Sequence, residues 1–185
     1  MLLNKIVFLS MILLALGACK EPAPRKPVQK KSGHVNQASI SRNKKLIAAE
    51  EARITELIAA DTLNTYTASA TGFWYYKDKV NGNSDYYPKT NDEVLLQYHV
   101  LSLEGDTIYK KQDIGLVQHA VDKSQLFPGL RNAVKLLKEG ESGIFLFPSA
   151  QAYGFTGDNK KIAPTTPICT NLEILKIIKH NDSLN

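Results

Sequence analysis

Between Leu126 and Gly154 the chain reads LFPGLRNAVKLLKEGESGIFLFPSAQAYG, and the order of signals in this run restricts the fold more than any other stretch. Pro128 suits a first helical turn, where its missing N–H leaves no bond unmade. Leu130, Ala133, Val134 and Leu137 then recur at helical spacing and give one apolar face. Gly140 stands where a left-handed residue would end that helix. Ile144 to Phe147 are consecutive apolar residues bounded by Gly143 and Pro148, the pattern of a short buried strand. Helix, turn, strand and loop therefore follow one another within one compact segment.

The chain has 185 residues with a net charge of +5, and the location of that charge decides what it means. Residues 1–45 hold nine Lys/Arg and one acid, Glu21, for +8, whereas the remainder holds fourteen Lys/Arg against seventeen Asp/Glu, for −3. The basic balance belongs to the N-terminal tail. A nucleic-acid face would need Lys and Arg clustered on the folded part, so no nucleic-acid partner is expected.

Lys5, the apolar run Ile6–Leu16 and the small residues Gly17-Ala18 before Cys19 form a secretory signal. The run is too short for a bilayer core of ~30 Å, which takes about twenty apolar residues. Residues 1–18 are read as the signal peptide. The ending L-G-A-C resembles a bacterial lipobox, which implies that Cys19 is acylated and anchors the chain to a membrane of the cell envelope; the alternative is an ordinary signal with an incidental Cys19. With Cys19 lipidated, Cys169 is left without a disulfide partner, and its apolar flanks suit a buried, inert thiol.

Residues 19–41 carry Pro22, Pro24 and Pro27 among polar residues and read as a flexible linker. Residues 42–61 turn amphipathic: Leu46, Ile47, Ile54, Leu57 and Ile58 share a side, with Ser39 or Ser41 as candidate caps. That stripe has two possible uses, packing on its own domain or pairing with a second copy or partner. The domain itself is placed at residues 65–180. Thr71–Lys79 is aromatic-rich and strand-like, and Val94–Leu103 is a strand with Leu96, Tyr98 and Val100 on one face.

Two segments, F-P-G-L-R-N-A-V-x-x-L-x-x-G and P-S-A-Q-A-Y-G, resemble in order and spacing the FKBP-type peptidyl-prolyl isomerases, which show I-P-G-W before a helix and P-x-x-x-A-Y-G after the next strand. V-L-L-Q-Y-H-V-L-S-L-E-G is similar to the family's V-x-V-H-Y-x-G-x-L-x-D-G, and the resemblance covers roughly residues 91–178. It implies an α+β fold: an antiparallel sheet wrapped around one short helix, here preceded by an N-terminal helix and linker. It also implies a pocket of Tyr98, Leu126, Phe127 and Tyr153, with Ile162 from an I-P-P-like segment. Ile108, Tyr109, Leu130 and Thr170 fall on pocket positions where the family has Phe, Asp, Trp and Phe respectively.

The chemistry implied fits those residue types. Rotation about an X–Pro bond must break amide resonance, against a barrier of ~18–20 kcal/mol. A pocket that holds the twisted amide better than either planar form lowers that barrier without a cofactor or a nucleophile. The four histidines (His34, His99, His119 and His180) lack metal-ligand spacing, and no phosphate loop or nucleophile elbow is present. The expectation is a lipid-anchored prolyl isomerase acting on proline-containing exported clients. The departures at Tyr109, Leu130 and Thr170 point to an alternative, a non-enzymatic chaperone or assembly factor with a weakened pocket. Anchor, helix and divergent domain together also resemble the FKBP-type lipoproteins linked to bacterial gliding motility.

Overall fold

The structure is a computed structural model that describes residues 37–180 except 124. The signal, Cys19 and most of the linker lie outside the described residues. Helix α1 (Gln37–Ala60) begins five residues ahead of the expected Arg42. Ser39 and Ser41 therefore stand inside the helix and do not cap it. No Gly or Pro separates Gln37 from Arg42, so nothing in the sequence stops the helix from extending backwards.

Seven strands follow among the described residues: β1 (Thr67–Ala68), β2 (Trp74–Lys79), β3 (Glu93–Leu101), β4 (Thr107–Tyr109), β5 (Val117–Ala120), β6 (Ser142–Phe147) and β7 (Ile168–Ile178). They form one antiparallel sheet in the order β1-β2-β6-β7-β3-β4, with β5 also paired to β3. The outer edge of β3 is shared. Glu93–Leu96 pair with β5, and Val100–Leu101 pair with β4. Between those two partners the chain leaves the sheet through the single turn α2 (Lys111–Ile114).

Helix α3 (Pro128–Val134) starts with Pro128 in its first turn, as its sequence dictates, and ends six residues before Gly140. Gly140 does have a positive φ of 76°, but it serves the turn into β6, donating its N–H to the Ile174 carbonyl at 2.7 Å. Leu137 keeps its core position from outside the helix.

Alternation along the strands builds two faces. Val94, Leu96, Tyr98 and Val100 of β3, Phe145 and Phe147 of β6, and Ile168 and Leu172 of β7 all pack around Leu130, Ala133 and Val134 of α3. The opposite face offers Trp74, Ile144, Leu146 and Cys169, and α1 covers it with the fully buried Ile54 and the half-buried Ile58. The described residues thus form three layers: α1, sheet, α3. The free thiol of Cys169 lies in the α1 interface, and burial pushes it up to about 11. Glu141, buried in the turn before β6, is fully satisfied: it accepts from Lys77 Nζ at 2.7 Å and from the N–H groups of Lys138 and Asn81.

Because Ile54 joins α1 to the sheet, Ile54→Ala should lower unfolding free energy by about 2–5 kcal/mol. Chemical denaturation of the full chain reads this directly; an unchanged midpoint would mean that α1 is not docked in solution.

Candidate functional site

The groove is built where α3 begins. Phe127 caps the N-terminus of α3 in extended conformation, so its side chain leaves the helix axis instead of joining the helix face. Its ring meets Tyr98 of β3 edge-on at 6.5 Å, Tyr153 at 5.1 Å and Phe147 of β6 at 5.4 Å. These spacings are those of favourable aromatic pairs. Behind them the aromatic packing continues into the core: Phe147 stacks on Phe145 at 6.0 Å, and Phe145 on Tyr75 at 5.5 Å.

Gly129 makes this assembly possible. A Cβ there would stand 2.4 Å from the Phe147 ring and 2.7 Å from the Gln151 carbonyl oxygen. A glycine alone lets the helix approach the strand and the following turn this closely. That turn, Ser149–Gln151, is one turn of 3₁₀ helix that carries the chain from β6 to Tyr153.

Two cavities meet at Tyr98 and Tyr153. One of ≈ 350 Å³ is lined by Tyr98, Gln125, Leu126, Phe127 and Tyr153. The other, ≈ 260 Å³, is lined by Tyr98, Tyr109, Asp113, Ile114, Tyr153, Asp158 and Lys160. The structure thus brings Tyr98, Leu126, Phe127, Tyr153 and Tyr109 to the groove walls. Leu130 and Thr170 are wholly buried behind them, and the Thr170 hydroxyl has no hydrogen-bond partner among the described residues. Ile162 is also buried, whereas Ile108 packs half-buried against the core and accepts a bond from Lys161 Nζ through its carbonyl.

Asp158 carries no motif signal, yet it organises one end of the groove. Its carboxylate accepts the Tyr109 hydroxyl, the Ile162 N–H at 2.8 Å and the Lys160 N–H at 2.9 Å. Burial raises the Asp158 pKa, but the Tyr109 hydroxyl and the two backbone donors outweigh this and hold it below the usual aspartate value. Lys161 lies over the Tyr109 ring, 4.9 Å from its centre. Tyr109, which the resemblance aligns with a family aspartate, thus donates to an aspartate from the loop opposite. Only the folded loop brings these two residues together.

The three tyrosines remain neutral donors. Burial pushes Tyr98 and Tyr153 upward, and the hydrogen bond to Asp158 is the main cause of the rise at Tyr109. Among the described residues the hydroxyls of Tyr98 and Tyr153 have no hydrogen-bond partner, so both are available to an acceptor in the groove. Among the described residues the site offers aromatic surface and two free hydroxyl donors, with no nucleophile–base pair. It can hold an apolar ring and one or two carbonyl oxygens.

A sheet curled over a short helix, with an aromatic groove at the helix N-terminus, defines the structural class, and comparison with known proteins agrees. The family model for FKBP-type peptidyl-prolyl cis-trans isomerase matches residues 84–175 and places the chain in that family. The probable FKBP-type peptidyl-prolyl cis-trans isomerase FkpA of Neisseria meningitidis serogroup B is 29% identical over 127 residues, 69% of this chain and 44% of that relative. The chain thus spans less than half the length of this curated relative. A peptidyl-prolyl cis-trans isomerase of Pseudomonas syringae shares the fold with a TM-score of 0.57 at 19% identity, covering 74% of this chain and 96% of its own. FkpA of Escherichia coli does so with a TM-score of 0.58 at 18% identity, covering 94% and 82%.

The Tyr109–Asp158 contact can be tested without any substrate. Asp158→Asn removes the charged acceptor that raises the Tyr109 phenol, so the Tyr109 titration should move down toward its ordinary value of 10. Ring-labelled tyrosine followed by NMR measures this; an unmoved titration would show that the contact is absent in solution.

Proposed function

We propose that this chain is a peptidyl-prolyl cis-trans isomerase held at a bacterial membrane through Cys19, assisting exported proteins with proline-containing segments. The observation that carries the reading is the convergence of Phe127, Tyr98 and Tyr153, with both tyrosine hydroxyls unengaged. A proline ring would rest against Leu126 and Phe127, and the Tyr153 hydroxyl would donate to a carbonyl flanking the reacting bond. The twisted amide carries less charge separation than the planar one, so apolar walls favour it. Its nitrogen and carbonyl no longer share resonance, and a neutral donor at the carbonyl needs no proton transfer. Catalysis is then binding of the rotated state.

The groove tyrosines are raised above 10 and Asp158 is lowered below 3.8, so none of these groups titrates between those limits. Asp158, with its depressed value, keeps its contacts above the ordinary aspartate value and loses them only as the pH falls through its folded pKa. A proline-peptide assay should therefore show turnover above the uncatalysed rate that varies less than about twofold from pH 5.5 to 9. Phe127→Ala should lower kcat/KM by roughly tenfold and Tyr153→Phe by about fivefold. Turnover equal to the uncatalysed rate at high protein concentration would remove the isomerase reading.

A second reading rests on a specific observation. Phe155, two residues beyond Tyr153, is 58% exposed, and the wholly buried Leu130 and Thr170 bring no aromatic surface to the groove. An exposed aromatic two residues from a groove tyrosine suits a chaperone or assembly factor that holds clients without isomerising them. Aggregation suppression that survives Phe127→Ala and Tyr153→Phe would favour it.

The clients we propose belong to the secretion or motility machinery of a gliding bacterium. Deletion should then abolish cell movement. The intact gene should restore it, and a Cys19→Ser variant should not. Unimpaired movement in the deletion strain would dispose of the motility role.

A further inference from the structure

Glu50 lies well ahead of residues 84–175, the part matched by the family model. It is nevertheless one of the few charged side chains withdrawn from solvent, at 8% exposure. Helix α1 delivers its carboxylate to a residue ninety-nine positions away in sequence. One oxygen accepts the Ser149 backbone N–H at 2.8 Å, and the other accepts the Ser149 hydroxyl at 2.7 Å. Ser149 is itself buried, so both donors would be left without water if the carboxylate were removed.

What Ser149 holds gives this pair its meaning. The Ser149 carbonyl accepts the N–H of Ala152 at 3.0 Å and the N–H of Gly154 at 2.8 Å. Tyr153 is the residue between those two amides. The same turn presents the Gln151 carbonyl to Gly129, against which α3 and hence Phe127 are seated. Glu50 therefore grips the residue whose carbonyl holds the backbone amides on both sides of Tyr153.

We infer that Glu50 is a positioning residue for the groove, and that α1 is an integral part of the isomerase unit. Ile54 fastens the helix to the sheet; Glu50 uses that attachment to fix the Ser149–Gly154 turn and the Tyr153–Phe127 spacing. The activity arm of this inference rests on the isomerase reading, and the structural arm does not.

Glu50→Met keeps side-chain volume and helix preference but strands both Ser149 donors. Glu50→Gln restores the pair, because its oxygen can accept the N–H while its amide donates to the rotated Ser149 hydroxyl. In the full chain, Glu50→Met should speed amide exchange at Ala152 and Gly154 by roughly tenfold more than in β3 and β7, and lower kcat/KM about tenfold. Glu50→Gln should stay within about twofold of the parent in both measurements. Unchanged exchange at Ala152 and Gly154, a rise shared equally with β3 and β7, or no rescue by Gln would overturn the inference. Should Glu50→Met fail to fold, Ser149→Ala takes its place: faster exchange confined to Ala152 and Gly154 supports the inference, and none overturns it. If the parent chain has no turnover, the isomerase reading falls while the exchange data still decide the role of Glu50.

Discussion

The contact of α3 with β6 and the turn that follows it underlies everything else in this molecule. Gly129 lets the helix come within reach of the Phe147 ring and the Gln151 carbonyl. That approach seals the core on one side and, at the helix N-terminus, throws Phe127 outward against Tyr98 and Tyr153. Core and groove are two ends of one packing event. A larger residue at Gly129 would push the helix off the sheet and open the groove in the same movement, since interiors at this density transmit displacement instead of absorbing it.

Electrostatics then fixes what packing leaves loose. Asp158 ties the loop after Tyr153 to Tyr109, while Glu50 ties the turn before Tyr153 to α1. Tyr153 is bracketed by two carboxylates that both accept backbone N–H groups but come from different elements. Their work is to hold backbone, which is what the proposed rotation, with no proton transferred, would ask of them.

Much of the scaffold was legible in the chain because it depends on local pattern. Pro128 set the start of α3, and alternation in β3 placed Leu96, Tyr98 and Val100 inward. Phe127 and Tyr153 were marked through the family resemblance of the segments F-P-G-L and A-Y-G, and the fold brings both to the lining of one cavity. Gly140 misled because a left-handed glycine serves a turn as readily as a helix end, and the helix had already stopped at Val134. Ser39 and Ser41 misled because a cap works only where the helix stops, and nothing upstream of them stopped it. The two-residue β1 and the pairs Tyr109–Asp158 and Glu50–Ser149 left no local trace. Each depends on which distant segments the fold brings together, and no periodicity encodes that.

The sheet ends in very short strands on both sides, two residues in β1 and three and four in β4 and β5. A long open edge would offer a ladder of unpaired amides to any extended chain that came near. A protein whose proposed work is to meet unfolded polypeptides faces that hazard at every encounter. By dividing the outer side of β3 between two stubs and a helical turn, this fold leaves little edge for a visitor to add to. On the proposed function, clients would thereby meet side chains in the groove and not the backbone of the sheet, so that they could be released instead of being woven in.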